Sequence, residues 1–297
     1  MDDKKESFML QTLAIINPIS GTGRQKRIAQ QLEENLDKER FALKVVYTKY
    51  AGHGVELAKQ AIIDKFDAVI AVGGDGTINE IANALVFSDV AMGIIPCGSG
   101  NGLARHLGIP MSPIKAIKWL NGANITKMDT VMANDFRFVN VAGIGFDALV
   151  SHEFAKMNSR GLTSYVKAVI KEFTTFKPQE FRLHNKKGEQ IESGMVLSFA
   201  NASQFGNNTY IAPEASIGDG LLNVVLLKKP KWYQIVGLGL KSITKKIHRS
   251  KLFRQFVVDE LTITQQSDLG HVDGEPIRFG KTIHLKVDKQ SLRIFSK

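Results

Sequence analysis

Apolar and polar positions follow a strand period and a helical period in turn along the first 130 residues. Short, continuously apolar runs predict buried strands, and apolar residues three or four positions apart predict helices between them. The predicted strands are TLAIIN (12–17), FALKVVYT (41–48), AVIAV (68–72) and AMGIIP (91–96), and the predicted helices cover 23–36, 54–64 and a stretch from Ile78. Strands that alternate with helices in this way predict an α/β domain with a parallel sheet.

After residue 133 the pattern changes to short runs of alternating polarity, separated by Gly, Asn and Asp. Such alternation predicts antiparallel strands, and several in succession predict a sandwich. The runs are FRFVNVAGIGFDALV, MVLSFANAS, LLNVVLL, LTITQQ and KTIHLKV, with helices predicted around 154–175 and 231–250. We therefore predict an α/β domain over 1–133 and a β-rich sandwich domain over 134–297.

Glycine and small polar residues follow the predicted strands of the first domain. These strand ends are Asn17 to Gly23, Thr48, Gly73 to Thr77, and Pro96 to Asn101. In an open α/β sheet, ligands bind beyond the carboxyl ends of the strands. One glycine-rich turn is a weak indication, because turns need glycine in any case. Three at one edge of a sheet favour a phosphate-binding site.

The segment Gly73-Gly74-Asp75-Gly76-Thr77 combines the groups that a nucleotide triphosphate requires. Glycine lets backbone N–H groups approach phosphates, the start of a helix is electropositive, and a carboxylate can hold a divalent cation. The alternative is a plain turn in which Asp75 caps the helix that follows. No Gly-Lys-Ser/Thr sequence follows, so the segment is not a Walker A loop.

Composition adds a basic surplus. The 297 residues carry a formal net charge of +10 at pH 7, which favours polyanionic partners, although a basic solubility surface would give the same total. The single cysteine, Cys97, excludes an intramolecular disulfide. No secretory signal is visible, and no apolar run approaches the roughly 18 residues of a spanning helix, so we expect a soluble or peripheral protein.

Nine basic residues and no acidic ones lie between Lys228 and Arg254. Apolar residues recur there at near-helical spacing, namely Trp232, Ile235, Val236, Leu240, Ile243 and Ile247. This pattern predicts a basic amphipathic helix of the kind that lies on a membrane surface. The alternative is a helix packed on the sandwich with a solvated basic face. No helix-turn-helix or zinc ligand set is visible, so no nucleic-acid partner is expected.

Six segments resemble the diacylglycerol kinase catalytic-domain family and its relatives, the sphingosine and ceramide kinases. In the family's order they are INPISGTG (16–23), VGGDGTINEIANAL (72–85), IPCGSGNGLARHLGIP (95–110), AGIGFDALV (142–150), APEASIGDGLLNVVLL (212–227) and HVDGEPI (271–277). Each segment alone is of modest specificity. Together they extend over nearly the whole chain and are very specific.

The resemblance implies a phosphofructokinase- or NAD kinase-like α/β nucleotide domain and a β-rich lipid domain, with the active site in the cleft between them. It implies transfer of the γ-phosphoryl group of ATP to a lipid hydroxyl, with Mg²⁺ as cofactor. The nucleotide would contact Asn17, Pro18, Ser20, Gly21, Gly23, Thr48, Gly73, Gly74, Asp75, Gly76, Thr77, Asn79, Glu80, Ser99, Gly100 and Asn101.

The resemblance also implies roles for carboxylates. Glu275 would take the proton from the lipid hydroxyl, and Asp75 would lie nearest the phosphates and magnesium. The sphingosine kinases use the loop aspartate, so the base stays open between the two, and VDGEP is also a good hairpin tip. Asp147 would pair with the amine of a sphingoid base, accept a hydrogen bond in a diacylglycerol kinase, or cap a loop. A structural magnesium would bind Ser216, Asp219 and Leu221, the first and last through backbone oxygens.

The motifs leave the acceptor open. GGDGT is typical of bacterial diacylglycerol-type kinases, whereas GSGNG (98–102) resembles the sphingosine and ceramide kinases. The alternatives to a lipid kinase are an NAD kinase-like phosphotransferase and a non-catalytic nucleotide- or membrane-binding module. As partners we expect a lipid substrate and an anionic membrane surface, and the sequence leaves a homodimer open. The expected location is cytoplasmic, peripherally at the inner face of the membrane.

Overall fold

The computed structural model describes residues 9–20, 27–156, 169 and 172–297. The chain divides into two compact units. The first comprises the residues up to Met128 together with Ser291–Lys297, and the second comprises Asp129–Gln290. The end of the chain therefore belongs to the first unit.

A parallel sheet forms the centre of the first unit. Its strands are β1 (Leu10–Ile16), β2 (Phe41–Tyr47), β3 (Ala68–Gly73) and β4 (Ala91–Pro96). They pair in parallel in the order β2-β1-β3-β4, so the prediction of a parallel sheet is confirmed. Every residue of β3 and β4 is buried, because helices cover both faces of such a sheet and leave no polar side.

Helices follow the strands of this unit. α3 begins at Asp75, directly after β3, and buries Ile78, Ile81 and Leu85 at helical spacing. A single glycine between strand and helix places the GGDGT segment at the carboxyl edge of the sheet. The helices of the first unit are α1 (Ile28–Asn35), α2 (His53–Ile63), α3 (Asp75–Leu85), α4 (Gly102–His106) and α5 (Pro113–Asn121).

The second unit is built from antiparallel strands, so the predicted sandwich is confirmed. The strands are β5 (Asn124–Ala133), β6 (Phe136–Phe138), β7 (Val141–Gly145), β8 (Gln179–Asn185), β9 (Gly188–Gly194), β10 (Val196–Ala200), β11 (Gln204–Gly206), β12 (Thr209–Tyr210), β13 (Leu222–Leu227), β14 (Phe253–Val258), β15 (Glu260–Thr264), β16 (Leu269–Val272), β17 (Glu275–Arg278) and β18 (Thr282–Ser296). One sheet has the order β14-β13-β10-β7-β16-β17, and the other has the order β18-β15-β8-β9.

The core of the second unit lies between its two sheets. Leu197 and Leu226 of one sheet pack in the same buried cluster as Phe181 and Ile263 of the other. All four side chains are almost fully buried. Alternate residues of each strand supply this cluster, which is why the sequence reads as alternating polarity.

One helix of the second unit corrects a predicted strand. The apolar run FDALV (146–150) was predicted to continue the preceding strand, but β7 ends at Gly145 and α6 (Phe146–Ala155) begins at once. Gly145 has φ +95°, a backbone conformation that turns the chain out of the sheet at little cost only for glycine. The helix predicted over 154–175 overlaps the end of α6, and its residues 157–168, 170 and 171 lie outside the described residues.

The helix predicted over 231–250 is present but shorter than predicted. The structure has a 3₁₀ turn at Trp232–Gln234, the helix α7 (Ile235–Ile243) and a second 3₁₀ turn at Ile247–Arg249. Lys245 adopts a left-handed conformation with φ +60°, which interrupts the helix between these elements. In the described residues no helix is long and apolar enough to cross a bilayer.

Candidate active site

Two glycine-containing loops pack backbone against backbone in the first unit. One joins β3 to α3, and the other follows β4. The N–H of Cys97 donates to the Gly73 carbonyl at 2.8 Å. A Cβ atom on Gly98 would lie 2.6 Å from the Cα atom of Gly74, so a side chain there would force the loops apart. Glycine at these positions is therefore a requirement of close backbone approach.

The Asp75 carboxylate links the two loops. Its Oδ2 accepts the N–H of Asn101 and its Oδ1 accepts the N–H of Gly102, both at 2.8 Å. Gly102 is the first residue of α4, whereas Asp75 is itself the first residue of α3, whose N-cap is Gly74. Asp75 therefore caps the neighbouring helix and not the helix that it opens.

Burial raises the pKa of the Asp75 carboxyl, and the two backbone N–H groups and the Arg105 guanidinium counteract part of this rise. Each carboxylate oxygen offers about two lone-pair positions. One N–H group per oxygen leaves capacity for a cation or a water. Cys97 lies in the same region, but burial raises the pKa of its thiol to about 11. Burial therefore disfavours the thiolate, which is the nucleophilic form of a cysteine.

Several other predicted nucleotide residues meet at this edge of the sheet. Asn17, after β1, donates from Nδ2 to the Thr77 hydroxyl oxygen at 2.9 Å, and thereby joins the first loop to the GGDGT segment. The Ser20 hydroxyl donates to the Asn17 carbonyl at 3.0 Å. The N–H of Thr48 donates to the Ile16 carbonyl at 2.9 Å, beside the end of β1.

Two predicted nucleotide residues have partners elsewhere. Glu80 accepts the N–H of Gly52 at 3.0 Å, at the start of α2. Asn79 accepts a hydrogen bond from the Asn83 amide at 2.9 Å, one turn further along α3. Both side chains are therefore engaged in holding helices. Of the remaining predicted residues, Pro18, Gly76, Ser99 and Gly100 are at least partly exposed, and Gly21 and Gly23 lie outside the described residues.

In the second unit, Glu275 follows a tight hairpin. Asp273 and Gly274 join β16 to β17, and both have positive φ, +48° and +89°, as a two-residue type I′ turn requires. The buried Asp273 carboxylate accepts the backbone N–H groups of residues 139–141 at 2.9 to 3.1 Å. The segment is thus a hairpin tip, and it is anchored. The Glu275 carboxylate is exposed and makes no hydrogen bond or ion pair within the described part of the chain.

Asp147 lies in a buried polar cluster of the second unit. Its Oδ2 is 3.2 Å from His271 Nε2 and accepts the Ser198 hydroxyl at 3.2 Å, while Oδ1 accepts the Ala148 N–H at 2.8 Å. Ser198 and His271 are almost fully buried. Beside this cluster, Gly145, Leu149 and Phe176 help line a cavity of about 360 Å³. The Asp147 carboxylate is therefore largely committed to the protein.

The predicted magnesium ligands lie in the loop before β13. Asp219 Oδ1 accepts the N–H of Leu221 at 3.0 Å, and Ser216 and Asp219 are exposed. Among the described side chains, no group of three or more His, Cys, Asp or Glu residues is arranged to hold a metal. One carboxylate with backbone carbonyls is a hard oxygen donor set that suits Mg²⁺ only if water completes the coordination.

Two buried carboxylates that hold these loops were not singled out from the sequence. Asp129 accepts the N–H of Gly220 at 2.6 Å and that of Gln290 at 2.7 Å. Asp273 anchors the hairpin before Glu275. An Asp that begins a DG turn is a visible signal. Asp129 lies inside β5, where residues 128–131 are all buried, and only the tertiary structure reveals what it binds.

Two family models match the chain. The diacylglycerol kinase catalytic domain matches residues 11–133. The YegS C-terminal NAD kinase beta sandwich-like domain matches residues 140–295, which is more than half of the chain. The first match contains the two glycine loops and Asp75, and the second contains Asp147 and Glu275.

Individual relatives agree with the family models. A "Diacylglycerol kinase" of Mycobacterium tuberculosis (strain ATCC 25618 / H37Rv) is 29% identical over 221 residues, 72% of each chain. A "Probable lipid kinase YegS-like" of Pectobacterium atrosepticum is 32% identical over 223 residues, 73% of this chain and 74% of the relative. A solved diacylglycerol kinase structure from Bacillus anthracis str. Sterne superposes with a TM-score of 0.75 at 18% identity, covering 98% of both chains, and shows the same fold.

Proposed function

The chain belongs to the lipid kinase family of the diacylglycerol kinase catalytic domain and the YegS C-terminal domain, and we propose that it transfers the γ-phosphoryl group of ATP to the hydroxyl of diacylglycerol. The proposed products are ADP and a phosphatidate. Because the acceptor is a lipid, the proposed place of work is the cytoplasmic face of a membrane.

The observation that carries the proposal is the pair of glycine loops tied together by Asp75. Their backbones approach to a distance that excludes side chains, and they leave the positive start of α3 at the carboxyl edge of the sheet. Backbone N–H groups and a helix start are the features that bind phosphates. Phosphoryl transfer depends mainly on positioning and charge neutralisation, which such a rigid loop pair supplies.

Magnesium, when bound with the nucleotide, would neutralise phosphate charge, and Asp75 is the carboxylate proposed to face it. Glu275 is the proposed base. Its carboxylate is exposed, has no partner among the described residues, and is held at a fixed place by the anchored hairpin. A base must come within hydrogen-bond reach of the hydroxyl proton of the acceptor, and an exposed carboxylate is open to such an approach.

Diacylglycerol is the acceptor that the Asp147 cluster favours. A sphingoid base carries an amine that needs an available carboxylate, and Asp147 already faces His271, Ser198 and its own helix. A diacylglycerol has no such group to satisfy. Relatives named diacylglycerol kinase support the same choice.

The proposal is tested with purified protein, labelled ATP and magnesium, offered diacylglycerol, sphingosine, ceramide or NAD in mixed micelles. We expect label in phosphatidate at a rate at least about 10²-fold above that for the other acceptors, a specificity of the size that an unpaired buried polar group produces. Label in NAD alone would assign the chain to the NAD kinases. Absence of turnover with every acceptor would leave a non-catalytic module.

Asp147→Asn is expected to lower activity on diacylglycerol less than about tenfold and to lower thermal stability, because the amide disturbs a buried hydrogen-bond cluster at a cost of about 1–3 kcal/mol. The measurements are kcat/KM in micelles and the melting temperature. Ser198→Ala, which removes one donor from the same carboxylate, is the matched control. A selective loss of about 10²-fold on sphingosine, with diacylglycerol unaffected, would contradict the proposal and make Asp147 the amine ligand.

A further inference from the structure

Six large apolar side chains are exposed around α7 of the second unit. We call the five most exposed of them the apolar surface: Trp232, Tyr233, Val236, Leu240 and Ile243. Their exposed fractions are 79%, 58%, 72%, 60% and 57%. Val236, Leu240 and Ile243 are four and three residues apart, so they form one stripe along the helix.

The opposite side of this segment holds it to the sandwich. Leu238 packs against the buried cluster that includes Val225 and Ile247. The Ser242 hydroxyl donates to the Tyr210 carbonyl at 2.7 Å. A helix on the surface of a globular protein normally turns its apolar stripe to the core. Here the stripe points away from the core, and one leucine and one serine make the attachment.

A basic cavity lies beside the apolar surface. It has a volume of about 400 Å³, and its lining includes Leu238, Lys241, Arg249, Ser250 and Lys251. These three basic side chains form no ion pair with any described residue. No acidic residue occurs between Lys228 and Arg254. The cavity therefore offers uncompensated positive charge to an anion.

We propose that the apolar surface inserts into the interfacial layer of a bilayer and that the basic cavity binds the phosphate of an anionic phospholipid headgroup. Exposed tryptophan, tyrosine and aliphatic side chains with basic residues beside them match the layered chemistry of such a bilayer. This inference rests on the proposed function in one respect: membrane docking would bring the chain to its proposed lipid substrate. Its test requires no turnover.

Charge argues for a bilayer over other occupants. A second copy of the chain would bring the same uncompensated basic residues against each other, and this like-charge contact opposes self-association. A nucleic acid would pair with the basic residues but would leave Val236, Leu240 and Ile243 without a partner. Of these three occupants, the anionic bilayer is the one that satisfies both the charge and the apolar area.

The direct test uses the fluorescence of Trp232. The chain has two tryptophans, so a Trp119→Phe protein reports Trp232 alone. On addition of phosphatidylglycerol vesicles, without ATP, we expect a blue shift of the emission and quenching by lipids that carry a doxyl group in the upper acyl chain. Phosphatidylcholine vesicles should produce neither at the same lipid concentration. Binding with unchanged, unquenched emission would overturn insertion.

Two sets of variants separate insertion from headgroup binding. Val236→Ser with Leu240→Ser should weaken binding to phosphatidylglycerol vesicles at about 0.1 M salt by at least about tenfold, because these side chains supply the apolar area that inserts. Lys241→Gln with Arg249→Gln and Lys251→Gln should reduce the preference for phosphatidylglycerol over phosphatidylcholine by at least about tenfold.

Matched controls lie elsewhere on the second unit. Ile191→Ser with Val257→Ser removes side chains that are 56% and 50% exposed. Lys187→Gln with Lys281→Gln and Lys286→Gln removes the same charge from exposed positions. Equal effects of the variants and their controls would overturn the proposal. A blue shift without lipid that rises with protein concentration would assign the surface to a second copy. Vesicle binding without kinase activity would refute the proposed function and leave this inference standing.

Discussion

Asp75→Asn is expected to abolish phosphoryl transfer, lowering kcat by at least about 10³-fold, the scale seen when a preorganised charge is removed from a reacting centre. The carboxylate accepts the N–H groups of Asn101 and Gly102 with different oxygens. An asparagine can replace only one of these acceptors, because its NH₂ group cannot accept. The variant therefore loses both the charge proposed to face magnesium and one of the two bonds that hold the loops together.

The control for this variant is Asp67→Asn. Asp67 lies in the same unit and accepts the N–H of Gln11 at 2.8 Å, but at the amino end of β3. The Asp67→Asn variant therefore changes a comparable hydrogen bond between a carboxylate and a backbone N–H group. This bond lies away from the strand ends where the two glycine loops meet. Activity close to wild type is expected for Asp67→Asn. Near-normal turnover of Asp75→Asn, measured with saturating ATP and diacylglycerol, would show that Asp75 has no part in catalysis.

The same carboxylate predicts a pH dependence. Burial raises the pKa of Asp75 above that of an ordinary aspartate, which is about 3.9. The ionised form accepts both N–H bonds, so activity should fall as the pH decreases through this raised pKa.

The elements of the first unit could be predicted because their signals are local. A buried parallel strand has to be apolar at every position, and Ala68–Gly73 and Ala91–Pro96 are continuous apolar runs. Glycine is required in the loops after these strands where the two backbones approach closely, as they do at Gly74 and Gly98. The apolar composition of these strands, their length and the glycines that follow them therefore indicate the same strand boundaries.

The start of α6 was not predicted, because Phe146–Val150 is as apolar as the strand before it. Hydrophobicity alone does not distinguish a buried helix from a buried strand over five residues. What separates them is the positive φ of Gly145. A glycine between two apolar runs was the available signal.

The sequence left two directions open for the apolar stripe on α7, toward a membrane surface or against the sandwich. Helical spacing identifies a stripe but not what it faces. The orientation is set by Leu238 and by the bond from Ser242 to Tyr210, which is more than 30 residues away in sequence. These two tertiary contacts turn the stripe away from the core, and neither of them is visible in the spacing of the apolar residues.

The candidate site likewise has features that the sequence predicts and features that it does not. The residue types at the strand ends favour a phosphate-binding site, because glycine there lets the backbone approach a phosphate and a carboxylate can hold a cation. The partners of those residues are not visible in sequence. Asp75 and Glu80 lie five residues apart, yet one caps α4 and the other holds the start of α2. The packing of α3 decides that Asp75, and not Glu80, faces the two glycine loops.

Glu275→Gln should lower kcat by roughly 10² or more, with the KM for ATP changed less than about threefold, because a base contributes to proton transfer and not to nucleotide binding. The substitution preserves the shape of the side chain. The hairpin that carries it is held by Asp273 and by the Ser151 hydroxyl, which donates to the Gly274 carbonyl at 2.8 Å. A fall in kcat therefore reports the lost carboxylate and not a displaced loop.

Glu260→Gln is the matched control for this second variant. Glu260 and Glu275 are both exposed and each begins a strand of the second unit, β15 and β17. Kinetics at saturating diacylglycerol, with a melting curve for each variant, separate the cases. Equal losses in the two variants would mean that strand-initial glutamates support the sandwich. If Glu275→Gln raised the KM for ATP and left kcat unchanged, Glu275 would be a nucleotide ligand. The base would then have to be Asp75. In that case the hydrogen bonds of Asp75 to two backbone N–H groups would have to break during the reaction.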